Sequence, residues 1–143
     1  TSDMTHYRTA FRNAARAALA ADPHFAGVTI LKVWPGSVDA ATLPVIGVLT
    51  PQEPSQRDAQ RTVTRRTLMQ IALRREGGED IEDQLDEDSA RIEAVILAAL
   101  RTSEVRAVLE ETSIVSHSQS RAYVGTLIMS FRLQSWLPEP TLT

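Results

Sequence analysis

From Arg121 to Trp136 hydrophobic residues recur at every second position, with Tyr123, Gly125, Leu127, Met129, Phe131 and Leu133 on one parity. Side chains leave a β-strand alternately to its two sides, so this parity predicts a strand with one face in a core. The other parity is apolar at Val124 and Ile128 and turns polar at Ser130, Arg132 and Gln134. Such a strand is expected to be covered on both faces in its first half and on one in its second. No other segment is as long, as apolar and as regular, which predicts a central place in a sheet.

Upstream, helical and strand periods succeed one another. Thr5 to Ala21 predicts a helix, with Tyr7, Phe11, Ala14, Ala15, Ala18 and Leu19 inward and Arg8, Arg12 and Arg16 as an exposed i, i+4 row. Ser2, Asp3 or Thr5 is the expected cap, and Asp22-Pro23 the expected stop. Val28 to Val33 predicts a short strand stopped at Trp34-Pro35-Gly36. Pro44 to Thr50 predicts an interior strand in which Gly47 marks a close backbone approach or a bulge. Pro51 to Ala59 is polar with two prolines and predicts a loop.

Arg61 to Arg75 alternates as a third strand, with Val63, Met69, Ile71 and Leu73 on one face. Its residues at ~3.3 Å each reach roughly 50 Å, and Pro44 to Thr50 can pair with only about half of that. Leu68–Leu73 is therefore expected in the sheet, and Gln52–Arg66 as an overhanging arm with no strand partner of its own. Gly77-Gly78 breaks the chain. Asp80 to Leu100 predicts the second helix, with Ile81, Leu85, Ile92, Val95, Ile96, Ala99 and Leu100 inward. Thr102 to Glu111 reads as a short third helix capped by Ser103 or Thr102. Thr112 to His117 reads as a strand turning through Ser118–Ser120 into the closing strand. The order α-β-β-β-α-α-β-β predicts an α+β fold, a mixed or antiparallel sheet packed on one face by helices. A protruding hairpin or loop arm is expected at about 51–66, and Pro138 and Pro140 predict an irregular tail over 137–143.

A chain of 143 residues predicts one domain with a core of its own. The absence of cysteine excludes disulfides, thiol nucleophiles and thiolate metal sites. No apolar run approaches the ~20 residues a bilayer needs, and no signal-peptide core opens the chain, so folding in a cytoplasm without membrane contact is expected. Charge changes the picture more. Of 15 basic residues only Lys32 is lysine, which fits paired interface contacts and fits equally the codon bias of a GC-rich genome. Six arginines from Arg57 to Arg75 face one acid, Asp58, and eight acids without a base follow from Glu76 to Asp88. Identical copies can use the two blocks head to tail, and a pair within one monomer is equally allowed. Arg57, Arg61, Arg65 and Arg66 on the arm, with Asp80, Glu82 and Asp83 at the helix start, are the candidate subunit-interface residues. The helix dipole favours acids at that start by about 0.3–1 kcal/mol each, so a solvated helix start also accounts for them.

Candidate chemistry is sparse. His6, His24 and His117 share no ligand or acid–base spacing, and GxSxG, Walker A, GxGxxG and HExxH are absent. The acids at 79–88 lack the glycine and alternation of an EF-hand loop. No catalytic, cofactor-binding or metal-binding residue is assigned, and enzyme activity is not expected. An arginine-rich arm on a chain of net charge −3 without a binding motif is a weak case for sequence-specific DNA recognition.

The layout over nearly the whole chain resembles the tail terminator family of tailed bacteriophages. The resemblance is carried by the N-terminal helix and the step Asp39-Ala40-Ala41-Thr42-Leu43-Pro44 into the apolar strand Val45–Val48. It continues in the alternating strand Thr67–Leu73, the acidic helix from Leu85-Asp86 through Arg91-Ile92, and the closing strand Ala122–Phe131. The arginine-rich arm and the chain past Trp136 run beyond the family pattern. The resemblance implies a structural virion protein at the head–tail junction, assembled in the host cytoplasm as a hexameric ring. Such a ring caps the finished tail tube, stops its polymerisation and presents the docking surface for the head–tail connector. Its implied partners are further copies of itself, the tail tube protein and the connector or neck protein, and genome DNA passes through without sequence-specific binding. The alternatives are another neck or tail-completion protein, or a host binding module with an arginine-rich nucleic-acid arm.

Overall fold

A computed structural model describes residues 5–34, 42–119 and 122–142 of the chain. Helix α1 (Tyr7–Ala21) starts at His6, whose Nδ1 accepts from the Arg8 backbone N–H at 3.1 Å. His6 thus does what was expected of Ser2, Asp3 or Thr5; the first two lie outside the described residues. Asp22 ends the helix as expected, and one 3₁₀ turn (Pro23–Phe25) leads on. Then come β1 (Thr29–Leu31), β2 (Val45–Gln52), β3 (Ser55–Arg57), β4 (Thr62–Gly77), α2 (Ile81–Leu100), β5 (Val105–Gln119) and β6 (Ala122–Pro138). Pro35, Gly36, the step at residues 39–41, and Ser120 and Arg121 of the last turn lie outside the described residues.

The strands form one mixed sheet in the order β1-β2-β4-β6-β5, with β3 pairing β4 beyond the end of β2. β1 runs parallel to β2 and every other pairing is antiparallel. Both helices lie on one face, α1 over β1 and β2 and α2 over β5 and β6, so the predicted α+β architecture holds. β6 is interior, between β4 and β5, and its odd parity enters the core through Leu127, Met129, Phe131 and Leu133. Met69, Ile71 and Leu73 of β4 meet them across the ladder, under Leu19, Leu85, Ile92 and Ile96 of the helices. Gly125 lets α2 come down on β6, because a Cβ there would stand 2.6 Å from Leu85 Cδ1 and 3.0 Å from Ile81 Cγ1. Gly47 is the close approach its sequence implied, with the Trp34 ring 2.5 Å from where its Cβ would be.

Three expectations are corrected. The first half of β6 is not covered on both faces, since Val124 is half-buried and Ile128 exposed. The arm does not overhang. Thr62–Arg66 pairs residue for residue with Gln134–Pro138, and β3 closes its other side. β2 is too short to be its partner, but β6 is as long as β4, so the end of the closing strand, Gln134–Trp136, extended by Leu137 and Pro138 of the expected irregular tail, supplies the missing strand. Finally, Thr102–Glu111 is no helix. From Val105 it belongs to β5, with Val105, Ala107 and Leu109 opposite inward residues of β6, and Thr102 instead turns the chain by accepting from the Glu104 N–H at 3.1 Å.

Candidate assembly surfaces

β4 is 16 residues long, roughly 50 Å at ~3.3 Å per residue, and its length sets the arm arginines apart from the acidic start of α2. At its start the chain turns through Gln60 and Arg61, both with positive φ. Arg57 is exposed and bonded to Glu139 at 3.0 Å, and Arg61 is exposed on the turn. Arg65 and Arg66 point to opposite faces, because neighbours on a strand alternate. Arg65 goes to the helix side with its side chain only 19% exposed, while Arg66 stays exposed and its carbonyl accepts from Arg132. The four arginines therefore do not form one patch.

Beyond the other end of β4, Asp80 occupies the N-cap position of α2 without a side-chain cap bond, and Glu82 and Asp83 fill the exposed first turn. Asp86 and Glu87 continue the exposed acids into the next turn. Arg66, nearest of the four arm arginines, is still eleven residues from Gly77 on a continuous strand, roughly 36 Å. That distance keeps the four arm arginines from the acids within one chain, whereas Arg75, at the far end of the basic block, pairs with Asp88 of the acidic block.

At the basic end, Glu53 of the β2–β3 connection is held by four side chains. Tyr7 Oη and Thr67 Oγ1 donate to it, Arg8 Nη1 lies at 2.7 Å and Arg65 Nη1 at 3.9 Å. Burial pushes the Glu53 carboxyl up, but the bonds from Thr67 and Tyr7 and the two arginine charges outweigh it, and the carboxyl ends below its usual value. Tyr7 responds in the opposite sense. Burial, the bond to Glu53 and the carboxylate charge raise its phenol to about 12. A shallow polar cavity of about 420 Å³ opens beside this group, lined by Arg8, Thr50, Gln52, Glu53, Ser55 and Arg65.

The arginine row on α1 leans towards the same side. Arg12 donates to the Thr50 and Thr9 hydroxyls and Arg16 to Asn13 Oδ1, so neither meets a carboxylate among the described residues. Arg16 is lowered by burial and by the charge of Arg12, as like charges four residues apart require.

A second acid escaped the sequence reading. Asp88 lies three residues after Leu85 and four before Ile92, on the apolar stripe of α2, and its side chain is 3% exposed. Arg75 of β4 grips both of its oxygens at 2.7 and 3.0 Å, and His24 Nε2 stands 2.9 Å from Oδ1. A carboxylate on a buried stripe is the sequence signal for such a clamp. Next to it Arg91 binds Asp22, which holds the Asp22 carboxyl below its usual range. These bonds tie the 3₁₀ turn and β4 to α2 and give this region a structural role.

The helix-free face of β4, β6 and β5 carries the exposed apolar side chains Val108, Val115, Ile128 and Trp136. Arg106 stacks 5.7 Å over Trp136, and Arg132 pairs with Glu110 at 3.0 Å. Among the described residues no group of three or more His, Asp or Glu could hold a metal ion, and no helix is long and apolar enough to cross a membrane. No protein-family model matches the chain, and no curated protein matches it.

Proposed function

We propose that the chain is a ring-forming tail terminator, a structural subunit that caps a completed phage tail tube and offers the docking surface for the head–tail connector. The reading rests on the family resemblance of the element order. It is carried by one observation, the separation of the basic and acidic ends by the whole length of β4. Exposed surfaces of opposite sign, the arm arginines at one end and the first acids of α2 at the other, can meet between copies. A head-to-tail contact between two different surfaces forms a ring where its rotation closes. The function is then geometrical. Six copies joined this way have two unlike ring faces, one matching the end of the tube and one facing the connector, so growth stops. The nucleic-acid alternative loses support, because Arg57 is bonded to Glu139 and Arg65 is packed beside Glu53.

Negative-stain microscopy of the purified chain should show closed sixfold rings. Incubated with tail tubes of the phage that encodes it, the protein should cap one end of each tube and arrest elongation. A monomer at every concentration, or rings that leave tube growth unchanged, would overturn the proposal. Tight, salt-sensitive binding to arbitrary duplex DNA would favour the nucleic-acid module instead.

A further inference from the structure

Four guanidiniums follow one flank of the molecule: Arg65 of β4, then Arg8, Arg12 and Arg16 of α1. Glu53 is the one carboxylate among the described residues that faces them, and it is spent on Arg8, with Arg65 at a distant 3.9 Å. Arg65 is mostly buried, yet its hydrogen bond goes to a neutral partner, the Ser55 hydroxyl at 2.9 Å, and its Nε is buried with no partner. A guanidinium withdrawn from water in this way is undercompensated until an anion reaches it. Among the described residues Arg12 and Arg16 have only neutral acceptors, in Thr50, Thr9 and Asn13. The flank therefore carries more positive charge than the carboxylates of the described residues answer.

The answering pattern lies on the first turns of α2. Glu82 and Asp86, and beside them Asp83 and Glu87, are exposed on the first turns of α2 and form no ion pair among the described residues. Each acidic pair repeats after four residues, about 6 Å along a helix, which is also the repeat of Arg8, Arg12 and Arg16. The two rows sit on different helices, with α1 over β1 and β2 and α2 over β5 and β6. We propose that the arginine row of α1, with Arg65, docks the acidic start of α2 of a second copy. The inference deepens the ring-subunit reading and rests on it for closure of the ring. It moves the basic half of the contact from the hairpin turn to α1, because Arg57 is occupied by Glu139 while Arg61 and Arg66 lie on the turn and the other sheet face.

Sedimentation velocity on the full chain tests it. Arg12→Glu with Arg16→Glu should raise the concentration needed for assembly by on the order of tenfold or more at low salt, since like charges are then juxtaposed. The effect should shrink at about 1 M salt, where the Debye length falls to about 3 Å. Asp83→Arg with Glu87→Arg should do the same from the other half, and it leaves α1 untouched should the first variant fold poorly. An equimolar mixture of the two variants should assemble again, because each brings one intact surface and the two altered surfaces attract. Arg61→Glu with Arg66→Glu should leave assembly unchanged. Wild-type-like assembly of the folded α1 variant across salt, or a mixture of the two variants that stays monomeric, would overturn the inference while wild-type rings keep the ring reading standing. Open wild-type chains dissolved by the α1 variant would keep the inference and remove the ring. A wild-type monomer at all concentrations would remove both.

Discussion

Glu53 and Tyr7 form a pair whose titrations act on stability at opposite ends of the pH scale. The Glu53 carboxyl lies below its ordinary value of 4.5 in the folded chain, so its contribution is complete above that value. It is lost as pH falls through 4.5 and on through the folded value. The Tyr7 phenol lies at about 12 against an ordinary 10.0, so its contribution is complete below pH 10 and is lost as pH rises through the window from 10 to 12. Thermal midpoints across pH should show both limbs. Glu53→Gln should flatten the acid limb and Tyr7→Phe the alkaline one, and a Tyr7→Phe alkaline limb as steep as wild type would detach the phenol from that loss. Asp88 makes a sharper case, because both its oxygens are held by Arg75 and it is almost wholly buried. Removing one member of a buried pair strands the other, so Asp88→Asn should cost about 3–5 kcal/mol by urea denaturation. Asp83→Asn, exposed five residues earlier on the same helix, should stay within about 0.5 kcal/mol. The periodicity of α2 held Asp88 in plain view, but a run of eight acids drew the eye to charge rather than to position.

The element that sequence reasoning mistook shows why period is a fragile signal. Val105, Ala107 and Leu109 pair with Ser135, Leu133 and Phe131, all inward, and then the register shifts between Leu109 and Glu111. Past the shift Thr112 and Ile114 take the inward places opposite Met129 and Leu127. One extra residue, Glu110, is absorbed as a bulge, and the parity of the inward positions changes from odd to even. Neither half is long enough to declare a period of two, and Glu, Ala, Leu and Arg are good helix formers, so a short helix fitted the same residues. β6, which has no such break, was legible as a strand as far as Trp136. Deleting Glu110 removes the residue the bulge absorbs together with its exposed pair to Arg132, and should cost no more than about 1 kcal/mol. Deleting Val108 forces a charge inward, because either Glu110 takes the place of Leu109 or Arg106 that of Ala107. That variant should lose several kcal/mol, about 2–4, in the urea midpoint. The arm was misread for a different reason, since its partner arrives some seventy residues later and local counting cannot see it. Amide hydrogen exchange on the isolated chain should therefore find Thr64 and Arg66 protected like Met69 and Ile71. Exchange as fast as in an unpaired loop would contradict the ladder.

For the whole molecule, the sequence showed the charge blocks but not their geometry. Of the six arginines and eight acids, Arg75 and Asp88 meet within the chain, and the straight run of β4 sets the four arm arginines apart from the exposed acids of α2. Nor could composition separate Arg65 from Arg66, whose faces differ by strand alternation, or join Arg65 to the α1 row through Glu53. With the blocks apart, two sources of salt-dependent stability become distinguishable. Ion pairs confined to one chain, such as Arg57 with Glu139, weaken with salt at any protein concentration. A contact between copies also stabilises the folded chain by mass action, at about 1.4 kcal/mol for each tenfold rise in concentration above the dissociation constant. For a domain of this size that corresponds to a midpoint about 3–6 °C higher per decade. Calorimetry over a hundredfold range of protein concentration should show this rise at low salt and its loss at about 1 M, where charges beyond about 3 Å no longer feel one another. A midpoint that falls with salt but ignores concentration would place every effective ion pair inside the chain, and the opposite charge of the two ends would then have no part in assembly.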